Sequence, residues 1–465
     1  MQLSTRFLAG TALLLSAASA HAQTARPSLS GDWSGLLGPL ELTMHLADPA
    51  AGPRTATLDI PEQGAKGLLL QFTAPADSVY LRLAQPVARF AGRRSADGQQ
   101  LVGEWQQGLR AFPLTLARAG GTAKPTGRNR PQTPQLPFPY QSADVTFRNE
   151  KAGVTLAGTY TVPADMGPFP AVVLLTGSGA QDRNESVMDH QPFAVLADHL
   201  TRQGIAVLRF DDRGVGQSGG TPQGITNADY TADAQAALAW LRAQPGIRKN
   251  KVGLLGHSQG GTAATRAAVL PQGPDFLVLL ASPSLPGDEM IVQQALALAT
   301  VGKADPTQLQ LIEGKQRQVV DIIGKTPDNV LARAELLQLL NRNHSTDPAV
   351  LAQLNSQLDV LTSPTYRDLL ADRPAPTLAK VRCPVLAMGG SKDVQVPAKA
   401  NLAATAAGLK AAGNRDVTLK EMPGLNHLFQ NASTGGVAEY ATIEETFAPA
   451  ALQIISDWIT QHTKK

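Results

Sequence analysis

The sequence predicts an α/β fold, a mostly parallel sheet with helices on both faces, preceded by a small all-β domain. Three observations point there. From residue 143 onward, continuous apolar runs alternate with amphipathic helical patterns; residues 28–118 hold short strand-like runs separated by turn residues; a Pro/Gly-rich stretch divides the two regions. Continuous apolar runs mark strands that helices bury on both faces, whereas alternating ones mark sheets with one wet face.

At 465 residues the chain is too long for one compact core, given roughly 150 residues per domain. With 43% hydrophobic and 17% charged residues it has an ordinary globular composition. Its net charge is +3 and no basic run is longer than "GRRS", which argues against nucleic acid or an anionic membrane surface as partner. Small neutral or weakly charged molecules are expected instead. At the N-terminus, Arg6, the apolar "FLAGTALLLSAASA" and the small-x-small Ala20-His21-Ala22 read as a signal peptide over residues 1–22, cleaved before Gln23. Export to the periplasm or the medium follows. The apolar stretch is shorter than the roughly 20 residues that span a bilayer, so no stable membrane insertion is expected. Cys383 is the single cysteine, which rules out an internal disulfide. Standing before Pro384 at the start of an apolar run, it reads as a small buried hydrophobe.

Between residues 28 and 118 the runs "TATLDI", "LLLQFTA", "SVYLRLA", "ARFAGRR", "QLVGEW" and "FPLTLAR" suggest a small antiparallel barrel or sandwich, with Asp97-Gly98 as a hairpin signal. Trp33 and Trp105 read as core aromatics. Residues 119–142 carry too many Pro, Gly and polar residues for a packed element and read as an extended linker. The catalytic candidate is the region 143–465. There "DVTFRN" and "VTLAGTYTV" open as an antiparallel pair, and strand and helix patterns then alternate to the end. Residues 285–373 interrupt that alternation with several helical patterns and no strand, which suggests a helical cap over the carboxyl ends of the strands, where ligands bind in such sheets.

The segment "GLLGHSQGGTAA", residues 253–264, joins an apolar strand to an Ala/Thr-rich helix with Ser258 between glycines. A sharp strand-to-helix turn exposes the central side chain and strains its backbone, so only glycine-sized neighbours fit. A serine hydroxyl is a weak nucleophile without a histidine to take its proton and a carboxylate to hold that imidazole. "PVLAMGGSKDVQVP" places Asp393 just beyond one apolar strand, and "KEMPGLNHLF" places His427 just beyond the next. Ser258, Asp393 and His427 are therefore the expected catalytic residues. An oxyanion hole needs two preorganised N–H donors. Gln259 supplies one from its backbone, and Ser178, after Gly177 in "LLTGSGAQDRN", is expected to supply the other, with Gly179 as neighbouring alternative.

The loop Gly177 to Arg183, "RFDDRGVGQSGG", "GHSQGG", "GSKDVQVP" and "GLNHLFQNASTG" together resemble bacterial α/β-hydrolase esterases of the dienelactone-hydrolase-like group. The resemblance covers residues 143–465. It implies the α/β-hydrolase fold and cofactor-independent hydrolysis of small carboxylic esters through an acyl-enzyme. Ala180 stands where the group often has proline.

Gly214 to Gly219 satisfies GxGxxG, but Pro222 and Gly224 stop a helix from starting at the phosphate position, and no acid-tipped strand follows. These glycines read as a loop beside the active site, where Asp211, Asp212 and Arg213 either form an ion pair that fixes it or stand as solvated charges. His190 and His199 lack metal-ligand company, so neither cofactor nor metal is expected. Two other readings stand beside the esterase: a peptidase, amidase or acyltransferase using the same residues, and a non-catalytic binding protein with the β domain as its recognition module.

Overall fold

A computed structural model describes residues 28–464, apart from 38–39, 50–51, 61–64, 76, 84–87, 96, 108–109, 119–128 and 342–347. Residues 1–22, read above as a signal peptide, and the first part of the linker lie outside the described residues.

Eight antiparallel strands, β1 (Gly31–Leu37) to β8 (Arg110–Arg118), follow one another in space and close into a barrel, β1 pairing back to β8 through Trp33↔Arg118 and Ser34↔Ala117. The sequence reading found six of these strands. It missed β1, whose glycines weaken the strand signal, and its partner β2 (Leu40–Ala47). Gly35 is nonetheless required in β1: a Cβ there would lie 2.3 Å from the Thr115 carbonyl oxygen on β8. Trp33, Met44, Leu58, Phe90, Leu101 and Leu116 fill the interior. The barrel is thus a packed core, as expected where eight strands leave room for side chains alone. The Trp33 indole N–H, sealed inside, donates to the Leu29 carbonyl at 2.8 Å.

The second sheet has eight strands: β9 (Tyr140–Asn149), β10 (Val154–Pro163), β11 (Phe169–Leu175), β12 (Ala206–Phe210), β13 (Ile247–His257), β14 (Leu277–Leu280), β15 (Val385–Gly390) and β16 (Val417–Met422). Their spatial order is β16-β15-β14-β13-β11-β12-β10-β9. β11 to β16 pair in parallel; β9 and β10 are antiparallel additions at one edge. β9 starts at Tyr140, so residues 140–142 belong to this sheet and not to the linker in which the sequence reading placed them.

Helices α1 (Pro192–Arg202) and α11 (Pro449–Thr463) cover one face, where Phe193, Leu200, Ile455 and Ile459 meet Val172, Leu174 and Leu255. Helices α2 (Asn227–Arg242), α3 (Gln259–Ala267) and α10 (Ala398–Ala411) cover the other, where Leu238, Leu241, Ala264 and Leu409 meet Ala171, Val173 and Leu254. Burial on both faces explains why these strands read as unbroken apolar runs. From β11 the chain passes to β12 on one side and later to β13 on the other. That reversal makes the carboxyl ends of β11 and β13 a topological switch point, the position where open α/β sheets place their ligands.

Between β14 and β15 the chain inserts α4 (Gly287–Val301), α5 (Pro306–Lys325), α6 (Asn329–Leu340), α7 (Pro348–Leu361) and α8 (Pro364–Ala371), followed by the short α9 (Pro374–Leu378). These cap helices have a core of their own around Val319, Ile323, Leu336, Leu358 and Leu361. They reach the rim of the sheet through polar contacts: the Asp368 carboxylate on α8 accepts the Asn227 amide at the start of α2 at 2.7 Å, and Arg266 on α3 donates to Asp372 at 2.6 Å. A carboxylate at a helix N-terminus is favoured by the free N–H groups there.

The far part of the linker is docked on the sheet domain. The Arg130 guanidinium donates to the carbonyls of Ile443 at 2.6 Å, Met188 at 2.9 Å and Tyr440 at 3.2 Å, while Gln132 both accepts from Thr446 N and donates to Phe447 O.

Candidate active site

Ser258 lies between β13 and α3 with φ 52° and ψ −122°, a left-handed backbone that a non-glycine residue adopts only where its surroundings enforce it. Its neighbours show what enforces it. A Cβ on Gly256 would lie 2.2 Å from the Gly260 carbonyl oxygen, and one on Gly260 would lie 2.2 Å from the Leu175 carbonyl oxygen. Both glycines are sterically obligatory, because strand, turn and helix backbones come together with no room for side chains. The Ser258 amide donates to Leu280 O at 2.8 Å, which ties the turn to β14.

Asp393 follows β15 and is buried. One carboxylate oxygen accepts the amides of Gln395 and Val396, each at 2.8 Å; the other faces His427 Nδ1, also at 2.8 Å. With Nδ1–H donated to the carboxylate, the Nε2 lone pair is left to act as a base. His427 is carried by the tight turn after β16, in which the Asn426 side chain accepts the amides of Leu428 and Gln430. A Cβ on Gly390 would lie 2.2 Å from Leu425 O, so the end of β15 presses directly on this turn. Ser258, Asp393 and His427 thus stand beyond three strands of one sheet, with Asp393 and His427 hydrogen-bonded to each other.

Gln259, the other half of the expected oxyanion hole, is the first residue of α3, where backbone N–H groups have no intrahelical acceptor. Its side chain points elsewhere, donating to Asn227 at 2.9 Å. On the loop after β11, the Gly177 amide is taken by Glu185 Oε1 at 2.6 Å. Ser178 and Gly179, both exposed, come next.

Several acids hold that loop. Asp212 accepts Thr176 Oγ1 at 2.8 Å and the Gln181 amide at 3.0 Å, and burial pushes its carboxyl up to about 7. Asp211 accepts the Arg183 backbone amide and both prongs of its guanidinium, at 2.7 Å for the shorter. Arg213 pairs with Asp229 and Asp233 on α2. The ion pair entertained among Asp211, Asp212 and Arg213 is therefore replaced by two separate pairs, since neighbouring residues on a tight loop point to opposite sides. No helix follows the GxGxxG glycines before α2 begins at Asn227.

Sequence reasoning missed Glu185 and His257. His257 Nδ1 lies 2.8 Å from Glu185 Oε1, and His257 Nε2 lies 2.9 Å from the His427 carbonyl oxygen. The histidine next to Ser258 was the available signal. A cavity of about 490 Å³ in the cap, lined by residues including Asp288, Ile323, Arg367 and Arg373, touches none of the expected site residues.

A strained serine at a strand-to-helix turn, at the switch point of a largely parallel sheet and with a buried Asp–His pair beyond neighbouring strands, defines an α/β hydrolase. The model of the family described as serine aminopeptidase, S33 matches residues 188–433, more than half of the chain and a span that includes Ser258, Asp393 and His427. The chain belongs to this hydrolase family. It is 28% identical over 186 residues to the esterase EstD of Thermotoga maritima, covering 40% of this chain and 43% of that protein. It is also 34% identical over 131 residues to an uncharacterized protein of Mycobacterium tuberculosis, covering 28% and 42%. The chain spans less than half the length of these two relatives. Among solved structures, the Pyrococcus furiosus esterase Pf2001 is 16% identical with a TM-score of 0.41, covering 69% of this chain and 93% of that one.

Proposed function

We propose that this protein is a serine esterase that cleaves small carboxylic esters through an acyl-enzyme. The observation that carries the reading is the 2.8 Å bond between His427 Nδ1 and the buried Asp393, at the same edge of the sheet as Ser258 on its strained turn. In this reading His427 Nε2 takes the Ser258 hydroxyl proton as Oγ attacks the ester carbonyl, and the oxyanion is received by the amides of Gln259 and Ser178. The proton then passes to the leaving alcohol. Water repeats the sequence to free the acid. The name of the Thermotoga relative, an esterase, supports the substrate class.

The test is turnover of p-nitrophenyl acetate by Ser258→Ala. A loss approaching the roughly 10⁶-fold seen for nucleophile removal in serine hydrolases is expected; retained turnover would reject the reading. A second reading, cleavage of aminoacyl amides by the same residues, is favoured by the description of the family. A panel of acyl esters of graded chain length beside a set of aminoacyl amides separates the two, with higher kcat/KM on the esters expected. The reading includes export after removal of residues 1–22, which N-terminal sequencing of the mature protein checks by a start at Gln23.

A further inference from the structure

We propose that Glu185 and His257 form a buried carboxylate–imidazolium pair that locks the nucleophile turn, the oxyanion loop and the His427 turn to one another, acting as positioning residues for the reaction. The inference rests on the serine-hydrolase reading of the site and adds to it a second carboxylate–histidine pair, Glu185–His257, beside Asp393–His427.

The argument starts from proton placement. His257 is buried, and each ring nitrogen has one neighbour. Nε2 faces the His427 carbonyl oxygen at 2.9 Å; a carbonyl only accepts, so Nε2 must carry a proton. Nδ1 faces Glu185 Oε1 at 2.8 Å, so one further proton lies between these two atoms. The Gly177 amide donates to that same oxygen at 2.6 Å. An oxygen receiving an N–H from each side is best matched by an ionised carboxylate, which puts the proton on Nδ1 and makes the ring an imidazolium. Burial on its own would hold His257 neutral; the Glu185 charge and hydrogen bond outweigh it and raise the imidazole above its usual range.

The charged and titratable groups around the ring come from three other segments. Glu185 stands on the loop before α1, Asp393 on the loop after β15, and His427, with its ring centroid 4.6 Å from that of His257, on the turn after β16. Asp212 lies within electrostatic range of Glu185 and is neutral in part near pH 7, which limits like-charge repulsion there.

The pair gathers the three moving parts of the reaction. A Cβ on Gly177 would lie 3.1 Å from Glu185 Oε1, 3.4 Å from Ser258 Cβ and 3.6 Å from His257 Nδ1, so oxyanion loop, nucleophile and pair meet at one point. Glu185 holds φ 54°, a left-handed conformation that turns its carboxylate inward beneath the loop, and the Asp182 side chain stabilises that turn by accepting the amides of Asn184 and Ser186. At the other end of the ring, the bond to the His427 carbonyl sets where the base stands relative to Ser258.

Glu185→Gln gives a discriminating test. The amide that replaces the carboxylate presents either oxygen or NH₂ at the former Oε1 position. Oxygen satisfies Gly177 but leaves the doubly protonated ring without a counter-charge; NH₂ satisfies a neutral ring but confronts the Gly177 N–H. The three bonds can coexist only when His257 is protonated, which acid favours. The expected result is a kcat about 10²-fold below wild type at pH 8 with KM changed less than threefold, and a variant-to-wild-type kcat ratio that climbs several-fold as pH falls to 6. A ratio flat with pH would mark a merely structural glutamate and overturn the proposal. Should the variant fail to fold, ¹⁵N-histidine NMR of the wild-type enzyme decides: both His257 nitrogens protonated at pH 7 supports the pair, and an unprotonated Nδ1 overturns it. That spectrum does not depend on substrate, so failure of the pair is distinguishable from failure of the esterase reading, which Ser258→Ala tests.

Discussion

Gly260 shows how closely the chemistry depends on single atoms. A Cβ there would lie 2.2 Å from the Leu175 carbonyl oxygen, and Leu175 ends β11, the strand that leads into the loop of Gly177 and Ser178. Gly260→Ala must push backbone apart, because no side chain is there to give way. The expected cost is about 1–3 kcal/mol of stability, read as a lowered Tm, together with a fall in kcat in the fraction that folds. An unchanged Tm would show that the turn has slack. Cys383 gives a second residue-scale prediction: burial pushes its thiol up to about 12, so the reactive thiolate is scarce at neutral pH. A disulfide exchange reagent at pH 8 should label it slowly in the native protein and fast in denaturant. Rapid native labelling would contradict the environment described. The sequence reading had this cysteine as a buried hydrophobe at the start of an apolar run; in the fold it is half-buried, packed against the sheet core just ahead of β15.

At the scale of the element, the loop after β11 depends on acids whose behaviour no linear pattern reveals. Asp212 is the sharpest case. Burial pushes its carboxyl from the ordinary aspartate value of 3.8 up to about 7, so the fold favours its protonated form. The stability this contributes is complete below the usual carboxylate range and is lost as pH rises through about 7. A shift of this size corresponds to a change on the order of 4 kcal/mol between the two limits. Asp212→Asn keeps one acceptor for the Gln181 amide and a donor for Thr176 while removing the titration. Between pH 5 and pH 8 the Tm of the wild type should therefore decline relative to that of the variant; parallel curves would refute the assignment. In sequence the adjacent Asp-Asp-Arg run admitted either an ion pair among its own members or solvated charges. Its members instead point to Thr176, Arg183 and α2, which only the packing of neighbouring elements could show.

For the whole molecule, the segment between barrel and sheet domain is the feature with most consequence. Arg130 donates to carbonyls in the stretches around Met188 and 440–443, those of Met188, Tyr440, Ala441 and Ile443, and Gln132 clamps Thr446 and Phe447 just ahead of α11. The same stretches contact His190, whose ring meets Thr446 Oγ1, Tyr440 O and Gln430, three residues past His427. Hydrogen bonds from a charged group contribute about 1.5–3 kcal/mol each at most sites. Arg130 is only partly buried and its bonds are not additive. Arg130→Ala should therefore lower stability by about 2–3 kcal/mol in urea unfolding, the scale of one such bond, and a loss under about 0.5 kcal/mol, the ordinary range of surface changes, would show that the segment merely rests there.

Local pattern by itself determined the fold class and the order of the chemical groups. Apolar runs of strand length followed by amphipathic helices admit few arrangements, and parallel strands buried on both faces are the one that hides those runs from water. The Gly-x-Ser-x-Gly turn, and the acid and histidine placed just past strand ends, were legible for the same reason: each is defined by its position relative to a strand. What packing alone decided was every relation between residues distant in the chain. Closure of the barrel through β1, the docking of residues 130 and 132, the partners of Asp211 and Arg213, and the meeting of Glu185, His257 and Gly177 at one oxygen all depend on hydrogen bonds. These have a reach of about 3 Å and leave no periodic trace along the sequence.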